Sequence, residues 1–469
     1  MRRSGLSRAG SWLGGIGLLW ATAAAGAEPL TAGPLTADGA VQIALKRNSD
    51  VIFAEAGILD ARGSLYGAYS GVLPHVSGSL SRSGSWTTNN VGNTALGGVA
   101  FPPRTTFEDE SYSSSRPTLN GSWAALNLSA IKGVSAARSG LKASRFSRQA
   151  TRNDVALRTR RQFYEVVKAV RLAQVADGAL RLARDDERRV RALFEVGSVS
   201  KSDLLRAEVS TSRSELDSLT AHQAEVNNRI LLGLILGLRE SEIGEVDTLL
   251  AVEPMTIDEA SLVAEGVRNR PDLMAAETEV VAARASRTAA RYARLPYITV
   301  AGSATFNTKS NSQFQQPARD TNGVEIADTR QSTETASKTD RGLRGQVALT
   351  MDLFDGLGMD ARNAAADARL ARAQENRDAL RRNMESEVHQ AVLAHREAVG
   401  RDRVARRTLE SAIENLKLTQ EKYNVGSATI LDLIDAQVQL QRAQSDGVSA
   451  LADIRQAEAH IDRVRGRAQ

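Results

Sequence analysis

Tyr423-Asn424-Val425-Gly426-Ser427-Ala428-Thr429-Ile430-Leu431-Asp432-Leu433-Ile434-Asp435-Ala436 decides the fold, because the chain contains it twice. The earlier copy, Phe194-Glu195-Val196-Gly197-Ser198-Val199-Ser200-Lys201-Ser202-Asp203-Leu204-Leu205-Arg206-Ala207, stands 229 residues upstream and repeats the Val, Gly, Ser, Asp, Leu and Ala. Each copy reads as a turn between two helices. A long helical pattern arrives, and Gly197 or Gly426 stops it with a backbone free to enter the left-handed region. Ser200 or Thr429 then caps a new helix, with Asp203 or Asp432 three positions on in the capping-box relation. The chain is an internal duplication.

Working outward, the proline-free stretches on either side of these turns are very long. Residues 131–194 and 357–423 read as long helices, and 200–236 and 430–465 as the helices returning from the turns. At 1.5 Å per residue the first spans on the order of 95 Å. Val155, Phe163, Val166, Val170 and Leu172 form its apolar stripe, and Arg158, Arg161 and Glu165 dot the other side. Ahead of each arm lies a helix followed by two strands. Residues 36–72 read as one helix closed by Leu73-Pro74, and residues 257–294 match them at an offset of 222, closed by Leu295-Pro296. From His75 the period changes to 2, with Val76, Gly78 and Leu80 on one face and Ser77, Ser79 and Ser81 on the other. A polar loop over 87–116 and a returning strand over 117–128 follow, its alternation slipping near Ala124. In the second half a strand over 298–306, a loop over 307–340 and a strand carrying Leu343, Val347, Leu349, Met351 and Leu353 repeat the plan. The boundaries are then a leader at 1–27, a first repeat over 28–255 with its hairpin at 73–128, and a second over 256–469 with its hairpin at 295–354.

Composition agrees with long helices. Of 469 residues 42% are apolar but only 4% aromatic, so small side chains must fill the helix contacts. The leader has Arg2, Arg3 and Arg8 before an apolar run and Ala25-Gly26-Ala27 as a small-x-small cleavage site. Its removal takes away three arginines and no acid, which lowers the net charge from +5 to +2 and argues against a nucleic-acid partner. There is no cysteine, hence no disulfide and no thiol catalyst. Beyond the leader the longest apolar run, residues 230–238, is far short of the roughly 20 residues a spanning helix needs. An exported chain of this kind crosses a membrane with strands. Four amphipathic strands of about 10 residues have the right length, but four cannot close a barrel and open edges are not tolerated in lipid. Several copies must share one barrel.

Laid out in this way, the chain resembles the TolC-like family of outer-membrane efflux and secretion channels from residue 35 to its end. The resemblance rests on the two turn copies, on Asn269-Arg270-Pro271-Asp272-Leu273 and on the Leu-Pro pairs entering strands, in duplicated order. It implies a mainly α protein with membrane β: a homotrimer whose 12-stranded β-barrel continues into a long periplasmic α-helical coiled-coil tunnel. The implied place is the outer membrane of a Gram-negative-type cell, in contact with outer-membrane lipid. The implied partners are a periplasmic adaptor (membrane fusion) protein and an inner-membrane transporter. Cargo would be small molecules or a secreted polypeptide, with no catalytic activity, cofactor or metal.

The resemblance also assigns residues. Asp432 and Asp435 would point into the tunnel near its tip and make two rings of three carboxylates, favouring cations. The plainer reading makes Asp432 the capping-box acid and Asp435 a solvated residue of the first turn. Tyr423 matches a gate tyrosine and Asp203 its acidic partner, but Ala428 stands where the family has arginine, leaving Lys201 or Arg206 as substitutes. Val196, Gly197, Ser198, Val425, Gly426 and Ser427 would be the tips that meet the adaptor. Trp86 and Trp123 are candidates for an aromatic girdle. The histidines show no ligand spacing. A structural coiled-coil protein of the cell envelope is the competing reading. It explains the helices and leaves the alternating strands unexplained.

Overall fold

A computed structural model describes residues 33–91, 106–250, 257–315 and 336–466. The leader and parts of the two hairpin loops lie outside the described residues. The first repeat comprises α1 (Ala37–Arg47), α2 (Ser49–Ser70), β1 (His75–Val91), β2 (Thr106–Leu126), α3 (Leu128–Glu195) and α4 (Lys201–Leu236). The second comprises α5 (Glu259–Asn269), α6 (Pro271–Tyr292), β3 (Tyr297–Gln315), β4 (Ala336–Thr350), α7 (Gly358–Asn424) and α8 (Ile430–Val464).

The arms are helix pairs, α3 with α4 and α7 with α8, packed along a seam of small side chains. Buried alanines recur every seven residues: Ala169, Ala176 and Ala183 on α3, Ala391, Ala398, Ala405 and Ala412 on α7, Ala436, Ala443, Ala450 and Ala457 on α8. A strict seven-residue repeat imposes a left-handed supercoil, and alanine lets the two backbones approach closely. α3, 68 residues long, and α7, 67 residues long, each extend about 100 Å. The duplication offset persists in the core, where Val155 and Met384, Phe163 and Val392, and Leu232 and Ile461 are all buried.

Two expectations need correction. Residues 36–72 and 257–294 are each two helices, broken at Asn48 and Arg270. Pro271, the first residue of α6, forces Arg270 out of the helical region, and at both breaks a glycine of the returning helix comes close. Gly237 and Gly466, at φ 66° and 77°, end α4 and α8 against Arg47 and Asn269; a Cβ on Gly466 would lie 2.6 Å from the Asn269 carbonyl oxygen. Asn48 caps α2 and donates from Nδ2 to the Ile235 carbonyl at 2.9 Å. The second correction concerns the strands. β1 and β2 stay paired from His75↔Ser122 out to Val91↔Thr106, and β3 and β4 out to Asn311↔Ala336, so much of the expected loops is strand. Beyond Leu80 the β1–β2 ladder is rich in serine on both faces, as in Ser83, Ser85, Ser113 and Ser115, and polar side chains on both sides leave no apolar alternation to read. The slip near Ala124 is a register shift between Ala124 and Leu126, and Met351 and Leu353 lie past the end of β4.

The four strands form one antiparallel sheet in the order β1-β2-β3-β4. Its apolar face is open: Leu80 is 77% exposed and Leu343 87%, while Ser114 and Asn307 on the other face are buried. Among the described residues no helix is long and apolar enough to cross a membrane.

The Arg270-Pro271-Asp272 segment builds an ionic knot where α3, α6, α7 and α8 meet. The Arg270 guanidinium, 7% exposed, pairs with Asp272 and Glu387, each at 2.6 Å. Glu387 also meets Arg463 and His460, and Arg463 reaches Asp154 at 2.9 Å. Burial disfavours the Glu387 carboxylate, but hydrogen bonds from His460 and Arg270 and the charges of Arg270 and Arg463 outweigh it and hold the group at about 2. A depressed carboxylate contributes its stability above its unfolded value, about 4.3, and loses it as pH falls towards 2. Thermal unfolding followed by circular dichroism should therefore show the wild type weakening between about pH 4 and 2. Glu387→Gln should be destabilised at pH 7 by roughly 3 kcal/mol, as for one partner removed from a buried pair, with a shallower acid dependence. Equal melting of the two proteins at pH 7 would contradict this role.

Candidate functional site

The helical end far from the sheet is built by the two turns. The Gly197 and Gly426 amides donate to the Phe194 and Tyr423 carbonyls, and the Ser198 and Ser427 amides reach Leu193 and Lys422 at 2.8 and 2.9 Å. This pair of bonds is a Schellman motif, with φ at 75° and 77° on the glycines. Two residues on, Ser200 and Thr429 start α4 and α8 with complete capping boxes. The turns hold Val196 and Val425 at 74% and 78% exposure. Beneath them Val190, Ala207, Ile430 and Leu433 form a small core that Tyr423 packs against.

Asp203 and Asp432 are both the acids of those boxes. Asp432 Oδ2 accepts from the Thr429 amide at 2.8 Å and hydroxyl at 2.7 Å, and the hydroxyl and amide hydrogen bonds hold its carboxyl below the ordinary value. Its side chain is nevertheless exposed, as is that of Asp435, which accepts from Gln439 at 2.6 Å. Capping occupies Asp432 without removing it from solvent.

Tyr423 is half-buried, and burial, with the charges of Asp186 and Asp203, pushes its hydroxyl pKa up. Among the described residues no hydrogen bond joins Tyr423 to Asp203, whose Oδ2 takes the Ser200 hydroxyl at 2.7 Å. Arg206 of the same helix stands 3.9 Å from Asp203, and Arg189 stands 3.6 Å from Asp186. The cations beside Asp186 and Asp203 thus come from α3 and α4, and not from position 428. Sequence reading missed Asp186, which is buried, pushed up by that burial, and hydrogen-bonded by Gln437 of α8. The signal was a buried acid on an alanine-lined helix face, visible only once the seam is drawn.

α4 and α8 diverge from this end around a groove of about 940 Å³, with Leu205, Val209, Leu431 and Val438 on its walls and Arg213 and Arg442 among its cations. Leu216, Leu219, Val226 and Ile230 continue an apolar, exposed stripe along α4 at heptad spacing. Among the described residues no group of three or more His, Cys, Asp or Glu side chains is placed to hold a metal. Trp123 donates its indole N–H to the Val72 carbonyl at 2.8 Å, at the helical end of the sheet, and Trp86 lies 70% exposed towards the loops.

Residues 262–467 match the family model described as outer membrane efflux protein. TolC of Vibrio cholerae serotype O1 is 24% identical over 322 residues, which cover 66% of this chain and 68% of that protein. Nodulation protein T of Rhizobium leguminosarum bv. trifolii is 25% identical over 58% of this chain and 55% of its own length. The CmeC outer membrane channel of Campylobacter jejuni superimposes with a TM-score of 0.73 at 18% identity, over 92% of this chain and 85% of CmeC.

The left-handed φ at Gly426 yields one prediction. A Cβ there meets no neighbour, so Gly426→Ala carries only the backbone strain of roughly 1–2 kcal/mol, and Gly426→Asn less. Hydrogen exchange of the amides around the turn should accelerate in Gly426→Ala and much less in Gly426→Asn. Equal rates in all three proteins would mean the turn is not held by its glycine.

Proposed function

We propose that the chain is a member of the TolC-like outer-membrane channel family and that three copies conduct cargo from an inner-membrane transporter and a periplasmic adaptor to the outside. The observation that carries the reading is the sheet: its apolar face is turned outward, and β1 and β4 each pair on one side only. Unpaired edges in lipid cost several kcal/mol per orphaned backbone group, so each edge needs the next copy. Three copies of four strands give twelve. The stripe on α4 supports the same arrangement, because a heptad-spaced apolar face calls for a helix from a neighbour. A coiled-coil scaffold accounts for the arms and gives the outward apolar face of the sheet no partner.

Val196 and Val425, with Gly197, Ser198, Gly426 and Ser427, are the surface that the adaptor's helices would meet. Both valines lie open at the turns. Asp432 and Asp435, exposed and one helical turn apart, would become two carboxylate rings under threefold symmetry. Tyr423 and Asp203 would hold the closed state together with Asp186, Arg189 and Arg206. This gate works through packing and charge around Tyr423, in place of the arginine missing at 428. Small molecules and secreted polypeptides both fit a conduit whose partners select the cargo.

Single-channel recording on the purified mature protein tests the reading. The wild type should give a small, cation-selective conductance, and Asp432→Asn with Asp435→Asn should raise it or reduce its selectivity several-fold. Protein that neither conducts nor forms trimers would remove the channel. A conductance indifferent to the substitutions would keep the channel and leave both aspartates as helix-end residues.

A further inference from the structure

The register of the sheet sets four cations on its polar face, opposite the outward apolar one. Alternation from Ser77 puts Ser79, Ser81 and Ser83 of β1 on that face, with Arg116 beside Ser81 and Ser114 beside Ser83. Ser114 pairs with Lys309, and Lys309 pairs directly with Lys338. Arg344 lies on the same face beside Ser303. On the same face Asp340, beside Asn307, stands 3.8 Å from Lys338, and the register sets Glu110 and Glu108 at positions of this face nearer the loop.

A directly opposed lysine pair is unfavourable in a sheet, where like charges across two strands repel. Nothing in the fold requires it. Serine, threonine and asparagine fill the neighbouring positions of this face, so a neutral side chain fits the same backbone. The pair lies just past the loop-side end of the apolar band, which closes with Leu80, Phe306 and Leu343. If three copies close the barrel, the polar face becomes its lumen and the pairs become a ring of six ammonium groups with three Asp340 carboxylates beside it, a net excess of three positive charges at this level.

We infer that Lys309 and Lys338 form an anion-binding girdle in the outer half of the barrel, selecting for multiply charged anionic cargo such as phosphate-, sulfonate- or carboxylate-bearing molecules. The inference rests on the barrel reading above and adds a second charge filter in series with the aspartates of the far end, of opposite sign. Salt screens a single charge in a water-filled lumen over about 10 Å at 0.1 M, so a monovalent anion senses the ring weakly. A multivalent anion that touches several lysines at once is held.

Tripolyphosphate is a suitable probe. Added to each chamber in turn of a planar bilayer holding the full mature protein, it should block wild-type current in a voltage-dependent way from the barrel side. Lys309→Ser with Lys338→Ser should raise the half-blocking concentration at least tenfold, and Lys309→Arg with Lys338→Arg should retain the block. The serine variant relieves repulsion, so its trimer should resist heat and detergent at least as well as the wild type, which excludes misfolding as the cause of a lost block. Channels whose block is the same in wild type and serine variant would overturn the girdle and leave the channel standing. Absence of channels in the wild type would remove both.

Discussion

Close approach between helices, made possible by alanine at every seventh position, is the constraint on which the structure depends. A seam of Ala391, Ala398, Ala405 and Ala412 facing Ala436, Ala443, Ala450 and Ala457 lets α8 run along the C-terminal half of α7. Larger side chains would push the axes apart, and extra methylenes in a packed seam cost about 1–3 kcal/mol each. The seam explains the shortage of aromatics, because long thin walls have no interior wide enough to bury them. It also explains why the ends matter so much. Two arms of about 100 Å, held only along one narrow stripe, must be fixed at the turns and at the junction with the sheet.

Those fixings come in repeated pairs. The Schellman turns at Gly197 and Gly426 close one end, and the contacts of Gly237 with Arg47 and of Gly466 with Asn269 close the other. Where the first repeat uses Asn48 to bind the returning helix, the second uses Arg270 and builds an ionic knot around Glu387. The copies have thus diverged in chemistry while keeping their geometry.

The turns, the arms, the duplication and the alternation of β1 and β4 were all legible in the sequence, since each rests on a local rule: a glycine beyond a helix, a capping box, a period of 3.6 or 2. The break at Asn48 was not, because it is held by a contact with Ile235 of α4, 187 residues away in sequence, whereas the break at Arg270 had a local mark in Pro271 that the apolar period masked. The outer halves of the strands were hidden for a different reason. Polar side chains on both faces erase the apolar pattern that reveals a strand. At the candidate site, the capping roles of Asp203 and Asp432 followed from spacing alone, whereas Asp186 beside Tyr423 emerged only from the packing of α3 against α8.

The central claim is that this chain is one third of a closed object, since a four-stranded sheet with an outward apolar face and two open edges is incomplete. The mass of the detergent-solubilised particle, corrected for bound detergent, tests it most directly. Three copies per particle, resistant to dilution and dissociating only on heating, is the predicted result. A stable monomer or dimer at the same dilution would contradict it, because a monomer leaves both edges unpaired and a dimer closes only eight strands.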